Sequence, residues 1–318
     1  MKPIVCLGIV TVDALCRVID RYPTPGGVSF FDQLKVTTGG CAMNVGVTLA
    51  KLGLPVELIT RVGSDSFGDV VLAECARLGI GASHVVRDPG THTPFTVVLV
   101  HSDGQRSFFH TPGTNATLCA DDVDLNRLRE AKFLYVGGAM LMKRLDGQSL
   151  ADVLATARAA GVTTLLDTVY VDASHDWSRV LDPVLPRLDW FIPSLPEAQA
   201  YAGQADPVEA IVALRARGCA NAAIKLGSDG ALLLLRDEPD LRHIPAYRVD
   251  RVIDTTGAGD TWSAGFIAGL ARGLAPAQAA IIGHAVAAHS IQRLGATDGV
   301  PTWDAIERFT AQNATLGQ

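Results

Sequence analysis

The chain has 318 residues, 48% apolar and 19% charged, the composition of a globular protein with a sizeable buried core rather than of a disordered or fibrous one. Its net charge is −6 and no basic stripe runs along it, so the electrostatic footprint of a nucleic-acid binder is missing. Six cysteines without a CxxC pair, no apolar run near the roughly 18 to 20 residues of a membrane span, and an N-terminal MKPIVCLGIVTVDA interrupted by Asp13 and Arg17 point to a cytoplasmic enzyme with reduced thiols.

In chain order, IVCLGIV reads as a strand, followed by a helix from about Asn44 to Leu52. PVELITRVG reads as a second strand, followed by a helix from about Asp69 to Leu78. KFLYVGG, TTLLDTV, DWFIPS and AAIKLG are further strand-like runs between helical ones. Strands and helices taking turns predict an α/β fold of three layers, α/β/α, with a mostly parallel central sheet. Two stretches break the rhythm. Residues 13–37 and 92–110 carry strand-like content and the turn signals PTPGG and SDGQ, with no helix between. They are expected to form a small antiparallel β lid inserted into a single domain spanning 1–318. The alternative is a set of edge strands of the main sheet.

The string VIDTTGAGDTWSAGFIAGLARG places a β-type run, then DTTGAGD from Asp254 to Asp260, then a helix from about Ala258 to Ala271. Small residues let backbone amides converge at the helix N-terminus, where unpaired N–H groups and the dipole favour an anion; a phosphate fits Gly257, Ala258 and Gly259. Asp260 has two readings. It caps the helix end, or it is a base beside amides that would neutralise a transferring phosphoryl group. Upstream, in TTGGCAMNVGVTLAKLGLPVELITRVG, Gly39 and Gly40 allow close backbone approach and Asn44 offers a donor and an acceptor to hydroxyls, a helix cap being its other reading. The first strand lacks GxGxxG and the chain lacks GxxxxGK[ST], which argues against a dinucleotide oxidoreductase and a P-loop enzyme.

The segment from Asp254 to Ile267 resembles the C-terminal signature of the ribokinase-like (PfkB) carbohydrate kinases. TTGGCAMNVGVTLAKLGLPVELITRVG, with Gly39-Gly40, Asn44, Gly53 and Gly63 at the family's spacings, resembles its N-terminal signature, with Gly46 where Ala, Ser or Thr is commoner. The resemblance implies a ribokinase-like fold and transfer of a phosphoryl group from ATP to a primary hydroxyl of a small sugar: a pentose, a ketohexose or a sugar acid. Asp260 would be the base and Gly257, Ala258 and Gly259 the anion hole. Asp13, on its own readable as a turn residue, would hold substrate hydroxyls with Gly39, Gly40 and Asn44, and Phe109 and Arg106 would close over the sugar. Phe30, Phe95, His110 and Asn115 are weaker candidates of that kind. For the nucleotide, the resemblance implies Lys225 and Gly227 in KLGSDGALLL, Ser194 and Glu197 in SLPE, and His284. Mg²⁺ would be held through water by Glu197, and K⁺ by a loop of Asp254, Thr256, Ser290, Arg293, Gly295 and Gly299. A homodimer through the lid strands is the implied assembly.

Three features depart from the family pattern. Ser194 replaces the usual Asn of Asn-x-x-Glu, Asp167-Thr168-Val169 replaces Asp-Pro-Asn, and VGGAMLM (Val136 to Met142) lacks the Glu that reaches the sugar in ribokinases. Ribose is therefore not singled out. A nucleoside kinase using Phe30 and Phe109 to stack a base, and a non-catalytic sugar-binding protein, are the competing readings.

Overall fold

The computed structural model describes residues 2–102, 106–172 and 174–313. From the N-terminus the elements are β1 (Ile4–Gly8), β2 (Thr11–Arg17), β3 (Gln33–Gly39), α1 (Cys41–Lys51), β4 (Val56–Gly63), α2 (Ser66–Leu78) and β5 (Gly81–Asp88). Next come β6 (Phe95–Val100), β7 (Arg106–Thr111), α3 (Leu125–Arg129), β8 (Phe133–Ala139), α4 (Gln148–Ala159), β9 (Thr163–Thr168), α5 (Trp177–Leu181) and β10 (Trp190–Phe191). The chain continues through α6 (Leu195–Ala202), α7 (Pro207–Ala216), β11 (Asn221–Lys225), β12 (Ala231–Leu234), β13 (Arg242–Ile244), α8 (Ala258–Ala271), α9 (Pro276–Ser290) and α10 (Trp303–Asn313).

Nine strands form one sheet in the order β13-β12-β11-β10-β9-β8-β1-β4-β5. It is parallel from β11 through to β5, and β12 and β13 add an antiparallel edge. Because side chains alternate along a strand, the central strands feed two cores. Ile4 and Cys6 of β1 and Tyr135 of β8 pack with α1, α2, α8 and α9, whereas Val5, Leu7 and Val136 pack with α4 to α7. These are the expected three layers. The near-continuous apolar runs of the strands follow from burial on both faces. No described helix is long and apolar enough to cross a membrane.

A second sheet of four strands, β3-β2-β6-β7, stands off the first. The expectation of an antiparallel lid needs correcting. β2 pairs antiparallel with β3 and β6 with β7, but β2 and β6 run parallel, so the lid is mixed. Two separate hairpins meet side by side, and the β4–α2–β5 excursion between them returns the chain in the same direction. The lid strands also extend to 11–39 and 95–111, beyond the expected 13–37 and 92–110 at every end but one. α1 starts three residues earlier than expected, directly at the Gly39-Gly40 pair, and α2 starts at Ser66, where Asp65 accepts from the Gly68 amide as its cap.

Candidate active site

The order of the sheet reverses at β1, which lies between β4, the next strand of the main sheet in sequence, and β8, reached only after β5 and the lid. Ligands of open α/β sheets lie outside the carboxyl ends of strands at such a point. The glycines there are demanded by contact. A Cβ on Gly8 would stand 2.0 Å from the Gly137 carbonyl oxygen, and one on Gly40, whose φ is 88°, would stand 2.6 Å from Val10 Cα. The backbones of β1, β8 and the start of α1 therefore meet with nothing between them.

Around this point the chain brings together residues far apart in sequence. Asn44 Nδ2, in the first turns of α1, donates to Asp260 Oδ2 at 2.8 Å, with 216 positions between them. Asp260 stands in the first turn of α8, whose N-cap is Gly257 at φ 69° with no side chain capping the end. Dense packing raises the Asp260 carboxyl above its ordinary range, while the Asn44 amide, the Lys225 ammonium and the Cys41 thiol pull it back. Gly259 is exposed, and a Cβ placed on it would lie 3.5 Å from Lys225 Nζ. The mouth of α8 is thus a cradle walled by backbone amides, an ammonium and a carboxylate.

Lys225 closes β11 at its carboxyl end. Its Nζ donates to Asp167 Oδ2 at 2.5 Å, and Ser263 Oγ donates to the same oxygen at 3.0 Å. The Asp167 side chain is only 3% exposed, so burial raises its carboxyl, with Lys225 pulling the other way. Burial would push Lys225 down, but the Asp167 and Glu197 carboxylates outweigh it and hold the ammonium charged. Neither Asp167 nor Ser263 stood out in the sequence as a site residue. Asp167 is visible there only as the first residue of the altered Asp-Pro-Asn segment, and Ser263 as a small residue of α8.

Glu197 is buried, and its Oε2 accepts from the Ser194 amide at 2.6 Å, closing the start of α6. Ser194 pairs with Lys225 in an isolated parallel bridge, which brings this segment beside the same ammonium. Gly227, at φ 65°, is exposed just beyond it. His284 lies in the core of α9, where its Nδ1 accepts from Trp262 Nε1 at 3.1 Å. Its Nε2 is buried with no hydrogen-bond partner among the described residues, and burial pushes the imidazole down to about 4. Asp254 Oδ1 accepts from the Thr256 amide at 2.7 Å and Oδ2 from the Gly295 amide at 2.8 Å. Ser290 Oγ donates to the Ala296 carbonyl at 3.0 Å. Arg293 is exposed, with its amide on the Ser290 carbonyl, and a Cβ on Gly299 would stand 2.7 Å from that carbonyl oxygen. The Asp254, Thr256, Ser290, Arg293, Gly295 and Gly299 segments are therefore neighbours in space.

On the lid, Asp13 faces Gly39: a Cβ there would stand 2.2 Å from Asp13 Oδ2. Burial raises the Asp13 carboxyl, opposed by Thr96, Thr11 and His110. Strand register sorts the other lid candidates. Val36, Ala14, Val97 and Phe109 oppose one another across all four strands and so share the face away from Asp13, and Phe109 meets Tyr22 edge-on. Phe108 and His110 alternate onto Asp13's face. The Arg106 side chain lies outside the described residues. Phe95 stacks on Phe67 of α2 at 4.4 Å, and Phe30 is 92% exposed in the connection between β2 and β3. Asn115 uses both ends of its amide on the Val10 backbone, at 3.1 and 2.8 Å, and so staples the link between β1 and β2 to the segment after the lid.

A sequence model described as pfkB family carbohydrate kinase matches residues 1–303. The chain is 27% identical over 304 residues to a 2-dehydro-3-deoxygluconokinase of Bacillus subtilis, covering 92% of each protein. It is 26% identical to a ribokinase of Staphylococcus aureus, covering 96% of this chain and 98% of that one. Its fold superposes on Arabidopsis thaliana ribokinase complexed with ribose and ATP with a TM-score of 0.85 at 25% identity, covering 96% and 98% of the two chains.

Proposed function

Because the chain belongs to the pfkB family of carbohydrate kinases, we propose that it transfers the γ-phosphoryl group of ATP to a primary hydroxyl of a small sugar, with Asp260 as the base. The observation that carries this reading is Asp260 itself, held by Asn44 at the uncapped start of α8. A raised carboxyl pKa brings a base nearer to the proton it must take, and Asn44 fixes the oxygen's direction. As the sugar hydroxyl attacks in line, its proton passes to an Asp260 carboxylate oxygen. The Gly257 to Gly259 amides and the Lys225 ammonium face the charge on the transferring group.

The cradle fits a phosphate: Gly259 leaves its space open, and the donors around it are amides and a cation. Glu197 is the carboxylate that would hold a hydrated Mg²⁺, and the ion would supply positive charge to offset that of the phosphates. A loop built on Asp254 and the Ser290 and Gly295 segments suits K⁺, beside the Gly257 turn that packs on Ala296. Asp13, Gly39, Gly40 and Asn44 bind the sugar, and closure of the lid excludes water. The apolar lid face bearing Val36 and Phe109, 48% and 61% exposed, is the surface through which two copies pair.

The test is Asp260→Asn assayed with ATP over pentoses, ketohexoses, sugar acids and nucleosides. Turnover should fall by about three orders of magnitude or more with the fold intact, a barrier increase of about 4 kcal/mol. Near-normal turnover would sink the assignment. A nucleoside kinase is the second reading, favoured by Phe108, 59% exposed on the face that carries Asp13, where it could stack a base. Activity confined to nucleosides would establish it.

A further inference from the structure

One row of side chains crosses the whole lid. Thr37, Asp13, Thr96 and His110 are directly opposed in the register of β3, β2, β6 and β7, and therefore stand on one face. Thr11 Oγ1 donates to Asp13 Oδ1 at 3.2 Å and lies 3.2 Å from Thr96 Oγ1; Thr96 Oγ1 in turn lies 3.1 Å from His110 Nδ1.

Counting protons orders this chain. An ionised Asp13 only accepts, and each threonine hydroxyl has a single proton to give. The carboxylate is the strongest acceptor in the row, so the Thr11 proton points to Asp13 Oδ1 and the Thr96 proton, next along the chain, to Thr11 Oγ1. The Thr96 oxygen then has only lone pairs left for His110, and the proton on that contact must belong to Nδ1. A neutral imidazole with its proton on Nδ1 has a bare lone pair on Nε2. Partial desolvation lowers the His110 pKa, against the pull of Asp13, and favours the neutral ring. No donor among the described residues engages Nε2.

We propose that His110 is a specificity-determining residue: its bare Nε2 accepts a hydrogen bond from a sugar hydroxyl remote from the one phosphorylated, selecting a neutral polyhydroxylated substrate over a sugar acid. A carboxylate has no proton to offer Nε2 and would meet the Asp13 charge in the same row. The proposal rests on the kinase reading of the site.

Long-range proton–nitrogen NMR of the full chain, labelled at histidine, reads the tautomer without any substrate. Near neutral pH, Nδ1 of His110 should carry the proton, and Thr96→Val should return the ring to Nε2 protonation. A wild-type ring protonated on Nε2 overturns the proposal. In the same spectra, D-fructose or D-ribose should move the Nε2 resonance; a response to 2-dehydro-3-deoxygluconate alone, or to none of the three, also overturns it. In assays, His110→Phe should raise KM for the preferred neutral sugar roughly tenfold with kcat little changed, the equivalent of one lost hydrogen bond, and His110→Asn should recover part of the loss. An unchanged KM in His110→Phe overturns the specificity claim. A wild type that binds a neutral sugar at His110 but transfers no phosphoryl group would uphold this assignment and refute the kinase reading instead.

Discussion

Asp146 lies between β8 and α4, where its Oδ2 accepts from the Met142 amide at 3.0 Å while its buried Oδ1 has no hydrogen-bond partner among the described residues. Burial pushes its carboxyl up to about 6, and the Met140 and Met142 amides and Arg179 pull it back only in part. The folded chain thus holds this proton in a window, between about pH 4 and about pH 6, where the unfolded chain has already released it. Stability from this group is greatest at the acid end of that window and is lost as pH rises through about 6. Asp146→Asn keeps an acceptor for Met142 and buries no charge. It should stabilise the protein by about 2–3 kcal/mol at pH 8 and by almost nothing at pH 4; denaturant melts at the two pH values would show it, and equal shifts at both would refute it. The Asp167–Lys225 pair is the opposite case. There the buried carboxylate has a cation at 2.5 Å, so the charge is matched rather than tolerated.

At the scale of elements, the start of α8 separates two glycines whose sequence contexts look alike. Gly257 has φ 69°, and a Cβ on it would stand 2.7 Å from Ala296 Cβ, so its replacement strains the backbone and collides with the loop. Gly259 lies inside the helix with ordinary φ, and its Cβ would meet the Lys225 side chain, with Nζ nearest at 3.5 Å. Alanine suits a helix better than glycine by about 1 kcal/mol. Gly259→Ala should therefore match or exceed the wild type in melting temperature while losing about tenfold or more in kcat/KM for ATP, because the methyl group occupies phosphate space. A variant that melts early, or one that is fully active, would show that the cradle is misassigned. The lid makes the same point about strands. Alternation puts Asp13, Thr96 and His110 on one face and Val36, Val97 and Phe109 on the other, so a one-residue slip would exchange the polar and apolar faces.

For the whole molecule, that apolar lid face is the surface proposed to pair two copies. At its root Val12 and Phe95 are covered by the main body, but Leu34, Val36 and Phe109 further out remain 61%, 48% and 61% exposed. Burying such rows against a second copy is the economical way to remove them from water. If two copies pair there, the double variant Val36→Glu, Phe109→Glu should be a monomer in light scattering where the wild type is a dimer. The monomer should keep its fold, because neither side chain is needed in a core. A wild type that is monomeric at all concentrations, or a charged double variant that stays dimeric, would rule this surface out.

How much of this was legible in the sequence follows from the range of each interaction. Composition and alternating runs determined the three-layer α/β fold, since burial on both faces leaves strands apolar throughout. The helix from Ala258 to Ala271 was legible to its ends because its start is set by local glycine chemistry. The glycine pairs, Asn44 and Asp260 were legible as candidates because close backbone approach and helix termini have short-range signals. The lid was legible as hairpins but not as a mixed sheet, because the β2–β6 pairing joins segments about eighty residues apart with no turn to announce it. The same limit hid the Asp167–Lys225–Ser263 cluster and the proton order from Asp13 to His110. Those arrangements depend on which strand ends and faces meet, and only the tertiary structure fixes that, because long-range register is set by packing rather than by any local pattern.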